Sequence, residues 1–86
     1  MTTIQYTIQD ELGLHARPAG LLVKAAGQFK SKIFLRANDR EVSCDRLIAL
    51  MGLQIKQGQS ILIWAEGEDE VHACSALLKF LEDNSV

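Results

Sequence analysis

The side chains of this sequence that are placed to do chemistry fall in one segment, Gly13-Leu14-His15-Ala16-Arg17-Pro18-Ala19. His15 offers an imidazole, one of the side chains used for covalent group transfer. Pro18 suits a first helical turn, where its missing N–H costs nothing, and it disfavours helical geometry at Arg17 just before it. The first-turn N–H groups of a helix beginning here are unpaired and partly positive, so an anion is stabilised beside them, and phosphate is the common guest. Arg17 adds a fixed cation whose several donors match phosphate oxygens. Positive potential around the ring favours the neutral imidazole that can attack phosphorus, and it also favours the dianionic group once attached. Phosphoryl transfer rests mainly on positioning and charge stabilisation, so the segment needs no metal, cofactor or acid from its own chain. The other titratable groups offer less. There is no H-E-x-x-H, P-loop, G-x-S-x-G or C-x-x-C pattern, the carboxylates read as scattered solvated charge, and His72 falls on the outer face of a closing helix.

The elements that must position this segment are legible from periodicity. Ile4, Tyr6 and Ile8 alternate with polar residues, as a half-buried strand does, until Gly13 breaks the pattern. From Ala16 to about Gly27 the period becomes helical, with Leu22, Ala25, Ala26 and Phe29 on one side. Ile33–Ala37 and Glu41–Ser43 read as strands around an Asn38-Asp39-Arg40 turn. Asp45 suits the cap of a short helix, Arg46–Met51, that Gly52 stops. The run Ile61-Leu62-Ile63-Trp64-Ala65 is apolar throughout, which predicts a central and well-covered strand. Asp69 suits the cap of a last helix, with Val71, Cys74, Leu77, Leu78 and Leu81 facing inward; Trp64, Phe29, Leu78 and Leu81 are expected to be buried. The order β-α-β-β-α-β-α suits an α+β open-faced sandwich, a four-stranded antiparallel sheet with three helices on one face.

Size and composition bound the function. At 86 residues with no linker or repeat, residues 1–86 form a single domain with one small core, so chemistry must sit near the surface. Nine basic residues against eleven acidic ones, a formal net charge of −2, argue against nucleic acid or an anionic membrane as partner. The N-terminus carries no signal-peptide pattern and no run of 18 apolar residues occurs, which points to a cytoplasmic protein. Cys44 and Cys74 match no metal or redox spacing and are expected to be reduced thiols.

The segment G-L-H-A-R-P-A resembles the active-site signature of the HPr family, the histidine-containing phosphocarriers of the bacterial phosphotransferase system. The resemblance extends over the whole chain, in length, element order, histidine offset and the closing helix. It implies that His15 accepts a phosphoryl group from enzyme I and delivers it to IIA domains of sugar transporters, with Arg17 contacting the phosphate. The chain would then be a stoichiometric carrier rather than an enzyme, and a monomer. The alternative is a nitrogen-branch or regulatory paralogue, a binding module switched by phosphorylation; Leu12 and Ile48-Ala49-Leu50 look like that branch, whereas Gly20–Ala26 looks like the sugar branch. Many relatives carry a regulatory serine at the start of the second helix. Arg46 stands there in this chain, so control by a serine kinase is not expected.

A carrier must bind and release at least two partners, which calls for a small apolar patch ringed by charge. Leu47, Ile48, Leu50 and Met51 are too many apolar residues for a short helix to bury on one side. The resemblance points to Leu47, Ile48 and Met51 as partner contacts, beside Ala16, Gly20 and Lys24 on the first helix.

Overall fold

The structure is a computed structural model that describes all 86 residues. Its elements are β1 (Thr2–Thr7), α1 (Ala16–Ala26), β2 (Lys32–Ala37), β3 (Arg40–Ser43), α2 (Leu47–Gly52), β4 (Ser60–Glu66) and α3 (Glu70–Asp83). The strands form one antiparallel sheet in the order β1-β4-β2-β3. The predicted element order and open-faced α+β class are those observed. No helix is long and apolar enough to cross a membrane. The turn between β2 and β3 places Asn38 and Asp39 at φ of 53° and 62°, the conformation of a tight hairpin loop that asparagine and aspartate tolerate.

The core lies between the sheet and the helices. Ile33, Leu35, Ile61, Ile63 and Ala65 point into it from the sheet, and Leu22, Leu50, Leu77 and Leu81 meet them from the helices. Each large aliphatic side chain so removed from water contributes about 1.5–3 kcal/mol. Both cysteines are free and buried. Burial pushes the Cys44 thiol up to about 12, which keeps it protonated and poorly nucleophilic.

Several local expectations are corrected. β4 is central, but only one of its faces is covered: Leu62 and Trp64 look outward on the helix-free side, so Trp64 is half-buried and stacks on Phe34 with ring centroids 5.5 Å apart. Phe29 and Leu78 are likewise half-buried, while Leu81 is fully buried. Val71 is 68% exposed; the inner stripe of α3 is Ala73, Cys74, Leu77 and Leu81. Arg17 is helical despite the following proline, and α2 begins one residue late, with Arg46 at its N-cap and no capping bond from Asp45.

Asp69 stands at the N-cap of α3 without capping it. Its carboxylate accepts hydrogen bonds from the Lys30 and Ser31 amides, both at 2.9 Å, and from the Ser31 hydroxyl, tying the start of α3 to the start of β2. The Ser31 hydroxyl first, and then the Lys30 amide, hold the carboxyl below its ordinary value. This stabilisation is complete above the unfolded carboxyl's pKa of about 4 and is lost as pH falls through the lower folded-state value. Asp69→Ala is expected to lower Tm by several degrees at neutral pH and to flatten the acid limb of the Tm profile. Melting curves from neutral to strongly acidic pH check this; an unchanged acid limb would assign that dependence elsewhere.

Candidate functional site

His15 is the N-cap of α1, with φ −82° and ψ −172°, an extended conformation that turns the chain into the helix. Gly13 makes the approach possible. Its φ is +70°, and a Cβ there would lie 2.1 Å from the carbonyl oxygen of Ile55. That carbonyl accepts the Leu14 amide at 3.0 Å, docking the loop on the segment before β4. Leu14, Pro18 and Ala19 are buried around it, so the helix start is held by packing, while Ala16 and Arg17 stay exposed.

The imidazole makes no capping hydrogen bond. Instead its Nε2 lies 3.2 Å from Oδ2 of Asp10. The other carboxylate oxygen, Oδ1, accepts the Leu12 amide at 2.9 Å, and the Asp10 carbonyl accepts the Gly13 amide at 2.9 Å. Asp10 therefore folds the turn and aims the ring at once. The Leu12 amide chiefly, helped by the His15 ring, holds the Asp10 carboxyl below its ordinary value, so it is an anion at neutral pH. Reading the carboxylates as scattered solvated charge missed this residue. The available signal was an Asp-x-x-Gly turn pattern directly before the histidine. The expectation of purely positive surroundings is corrected as well: the ring lies between a helix start and a carboxylate. In the neutral ring, Nε2–H donates to Asp10 and the lone pair falls on Nδ1.

The helix start leaves few donors for a phosphoryl group. The first amide inside the helical ladder is that of Ala19, bonded to the His15 carbonyl at 3.0 Å, and Pro18 has no N–H. The amides of Ala16 and Arg17 remain, together with the Arg17 guanidinium, which enters no ion pair. This is a surface site. A hollow of about 480 Å³ between the end of α1, β2 and the Ser43–Arg46 loop contains none of these residues.

The proposed contact residues lie on two touching helices, α1 and α2. Leu50 is buried, whereas Leu47, Ile48 and Met51 are 37%, 79% and 38% exposed. On α1, Ala16 and Lys24 are exposed, and a Cβ on Gly20 would meet nothing within 4 Å. Leu12, three residues before His15, is a further exposed apolar side chain, at 74%.

Residues 2–83 match the family model described as the PTS HPr component phosphorylation site. The chain is 41% identical over 83 residues to the phosphocarrier protein HPr of Lysinibacillus sphaericus, spanning 96% of this chain and 94% of that protein. It is 38% identical over 82 residues to the HPr-like protein Crh of Halalkalibacterium halodurans, spanning 95% and 98%. Its fold is similar to the solved structure of the histidine-containing phosphocarrier protein from Mycoplasma, with a TM-score of 0.93 at 34% identity over 98% of this chain and 96% of that one. With sequence and fold agreeing over nearly the same span, the chain belongs to the HPr family of phosphocarriers of the phosphotransferase system.

Proposed function

We propose that this chain is a cytoplasmic carrier that takes a phosphoryl group onto His15 from phosphorylated enzyme I and passes it to IIA domains of sugar transporters. The observation that carries the reading is the engagement of Nε2 by Asp10 at the N-cap of α1, which leaves Nδ1 as the nucleophile. In the transfer the Nδ1 lone pair forms the bond to phosphorus as the bond from phosphorus to the donor breaks. The Nε2 proton stays on the ring, where Asp10 balances the charge the ring gains. The Ala16 and Arg17 amides and the Arg17 guanidinium receive the phosphoryl oxygens. Delivery runs the same step in reverse, which requires that neither state be bound too tightly. Incubation with phosphoenolpyruvate and purified enzyme I, followed by intact mass, tests the reading. One added phosphoryl group, labile in acid and stable in base, is expected; no uptake would refute it.

Leu47, Ile48 and Met51, with Ala16, Gly20 and Lys24, form the surface that meets both partners in this reading. Their exposure on adjoining helices supports it, as does the room above Gly20. Arg46, at the N-cap of α2, offers no hydroxyl to a serine kinase. Ile48→Glu is expected to weaken enzyme I binding by about 1–3 kcal/mol, as loss of an interface anchor does, while Tm moves little because the side chain is mostly in water. Titration calorimetry and a melting curve on the same variant decide it. Unchanged affinity with a large loss of stability would make Ile48 a packing residue.

A further inference from the structure

The helix-free face of the sheet is the part of this molecule that phosphate transfer does not use, and its register orders it in rows. One row runs Gln5, Leu62, Arg36, Glu41 across β1, β4, β2 and β3. The next runs Thr3, Trp64, Phe34, Ser43, and the last pairs Glu66 with Lys32. The middle row is aromatic: Trp64 and Phe34 stack with planes 23° apart, and neither is covered by any helix. Exposed Leu62 lies beside them, and a hollow of about 280 Å³ opens between Leu62, Trp64, Arg36 and Glu41. A strand apolar on both sides is the pattern of a strand covered on both sides, and this monomer covers one.

We infer that this face binds the same face of a second copy of the chain, about a two-fold axis parallel to the strands and between β4 and β2. The charges favour a copy over other partners. The face carries Lys32 and Arg36 against Glu41 and Glu66, so it is neutral and attracts neither nucleic acid nor an anionic membrane. Arg36 and Glu41 are already near one another, at 3.8 Å. Lys32 and Glu66 are register neighbours on the same edge of the aromatic row, yet neither is paired with the other; Lys32 enters no ion pair at all. The two-fold axis sets β4 of one copy over β2 of the other. Each row then meets itself reversed: Trp64 packs on Phe34 of the second copy and Phe34 on its Trp64. Glu66 meets Lys32 of the second copy, and the reciprocal pair forms by symmetry. Leu62 lies under the aliphatic stem of Arg36. This is the self-complementarity an isologous contact requires, in the aligned geometry of packed sheets about 10 Å apart. The helices and His15 lie off this face, so both copies keep their phosphoryl sites and docking patches free. The expected monomer is thus one side of an equilibrium.

Sedimentation equilibrium of the unphosphorylated chain from about 10 µM to about 1 mM, a range that brackets transient association, tests the inference. The apparent mass is expected to rise towards that of a dimer. Trp64→Ala is expected to weaken association about thirtyfold or more, as loss of a central aromatic anchor does. Lys32→Glu and Glu66→Lys are each expected to be monomeric across the range, because like charges then meet twice. An equimolar mixture of these two variants is expected to regain the dimer, since each supplies the charge the other lacks; melting curves establish that both are folded. A wild type that stays monomeric to about 1 mM, a dimer indifferent to Trp64→Ala and to the charge changes, or a mixture that fails to associate would each overturn it.

Discussion

Replacing His15 by alanine is expected to abolish uptake of phosphate from enzyme I and phosphoenolpyruvate while leaving the protein folded. The ring is the acceptor in the proposed transfer: the delocalised guanidinium of Arg17 is no nucleophile, the Asp10 carboxylate is held by the Leu12 amide, and Cys44 is sealed in the core as a protonated thiol. The stability cost is expected to stay below about 1 kcal/mol, because His15 occupies the N-cap without making a capping bond. For a chain of this size that is a fall in Tm of at most about 8 °C. Intact mass and a melting curve measure the two quantities. A His15→Ala protein that still gains a phosphoryl group would end the carrier reading at this residue. Asp10→Asn in the same assay separates aiming from accepting. It keeps a side-chain oxygen for the Leu12 amide but removes the anion beside Nε2, so slowed rather than abolished transfer is expected.

Gly13→Ala is expected to have the largest effect of any single methyl group added to this chain. A Cβ at Gly13 would overlap the Ile55 carbonyl oxygen and crowd the Lys56 Cα at 2.9 Å, both backbone atoms that no rotamer change can move aside. The residue also sits at φ +70°, where an alanine is strained. Strain of this kind costs about 1–3 kcal/mol before the overlap is counted, and each kcal/mol lowers Tm by about 4–8 °C in a domain this small. Relief requires the loop to lift from Ile55, breaking the Leu14 hydrogen bond and shifting His15 against Asp10. Transfer is therefore expected to slow along with the loss of stability. If Gly13→Ala melts like the parent and accepts phosphate at the parental rate, the loop has another conformation available, and the account of how the site is held fails.

Local pattern in the sequence determined the elements and where the candidate acceptor sits among them. Alternation at Ile4, Tyr6 and Ile8 and helical spacing from Ala16 placed β1 and α1, and their junction put His15 at a helix start. Four apolar residues in so short a helix could not all be buried, so exposure on α2 was legible from the count alone, whereas the resemblance singled out Leu47, Ile48 and Met51 and packing put Leu50 in the core. The tertiary structure decided what depends on residues distant in the chain. Periodicity reports that a strand is apolar on both sides but not how many layers the rest of the chain supplies; three helices on one face left Trp64 uncovered. Capping preference reports that Asp69 can bond amides, but the folded chain brings the Lys30 and Ser31 amides to it. The union of Asp10 with His15 falls between these cases. The two are five residues apart, yet they meet only because Gly13 takes a left-handed backbone against Ile55, a residue some forty positions on. A sequence encodes dihedral preference and burial period residue by residue, whereas the partner of a polar side chain is set by where the whole chain closes on itself.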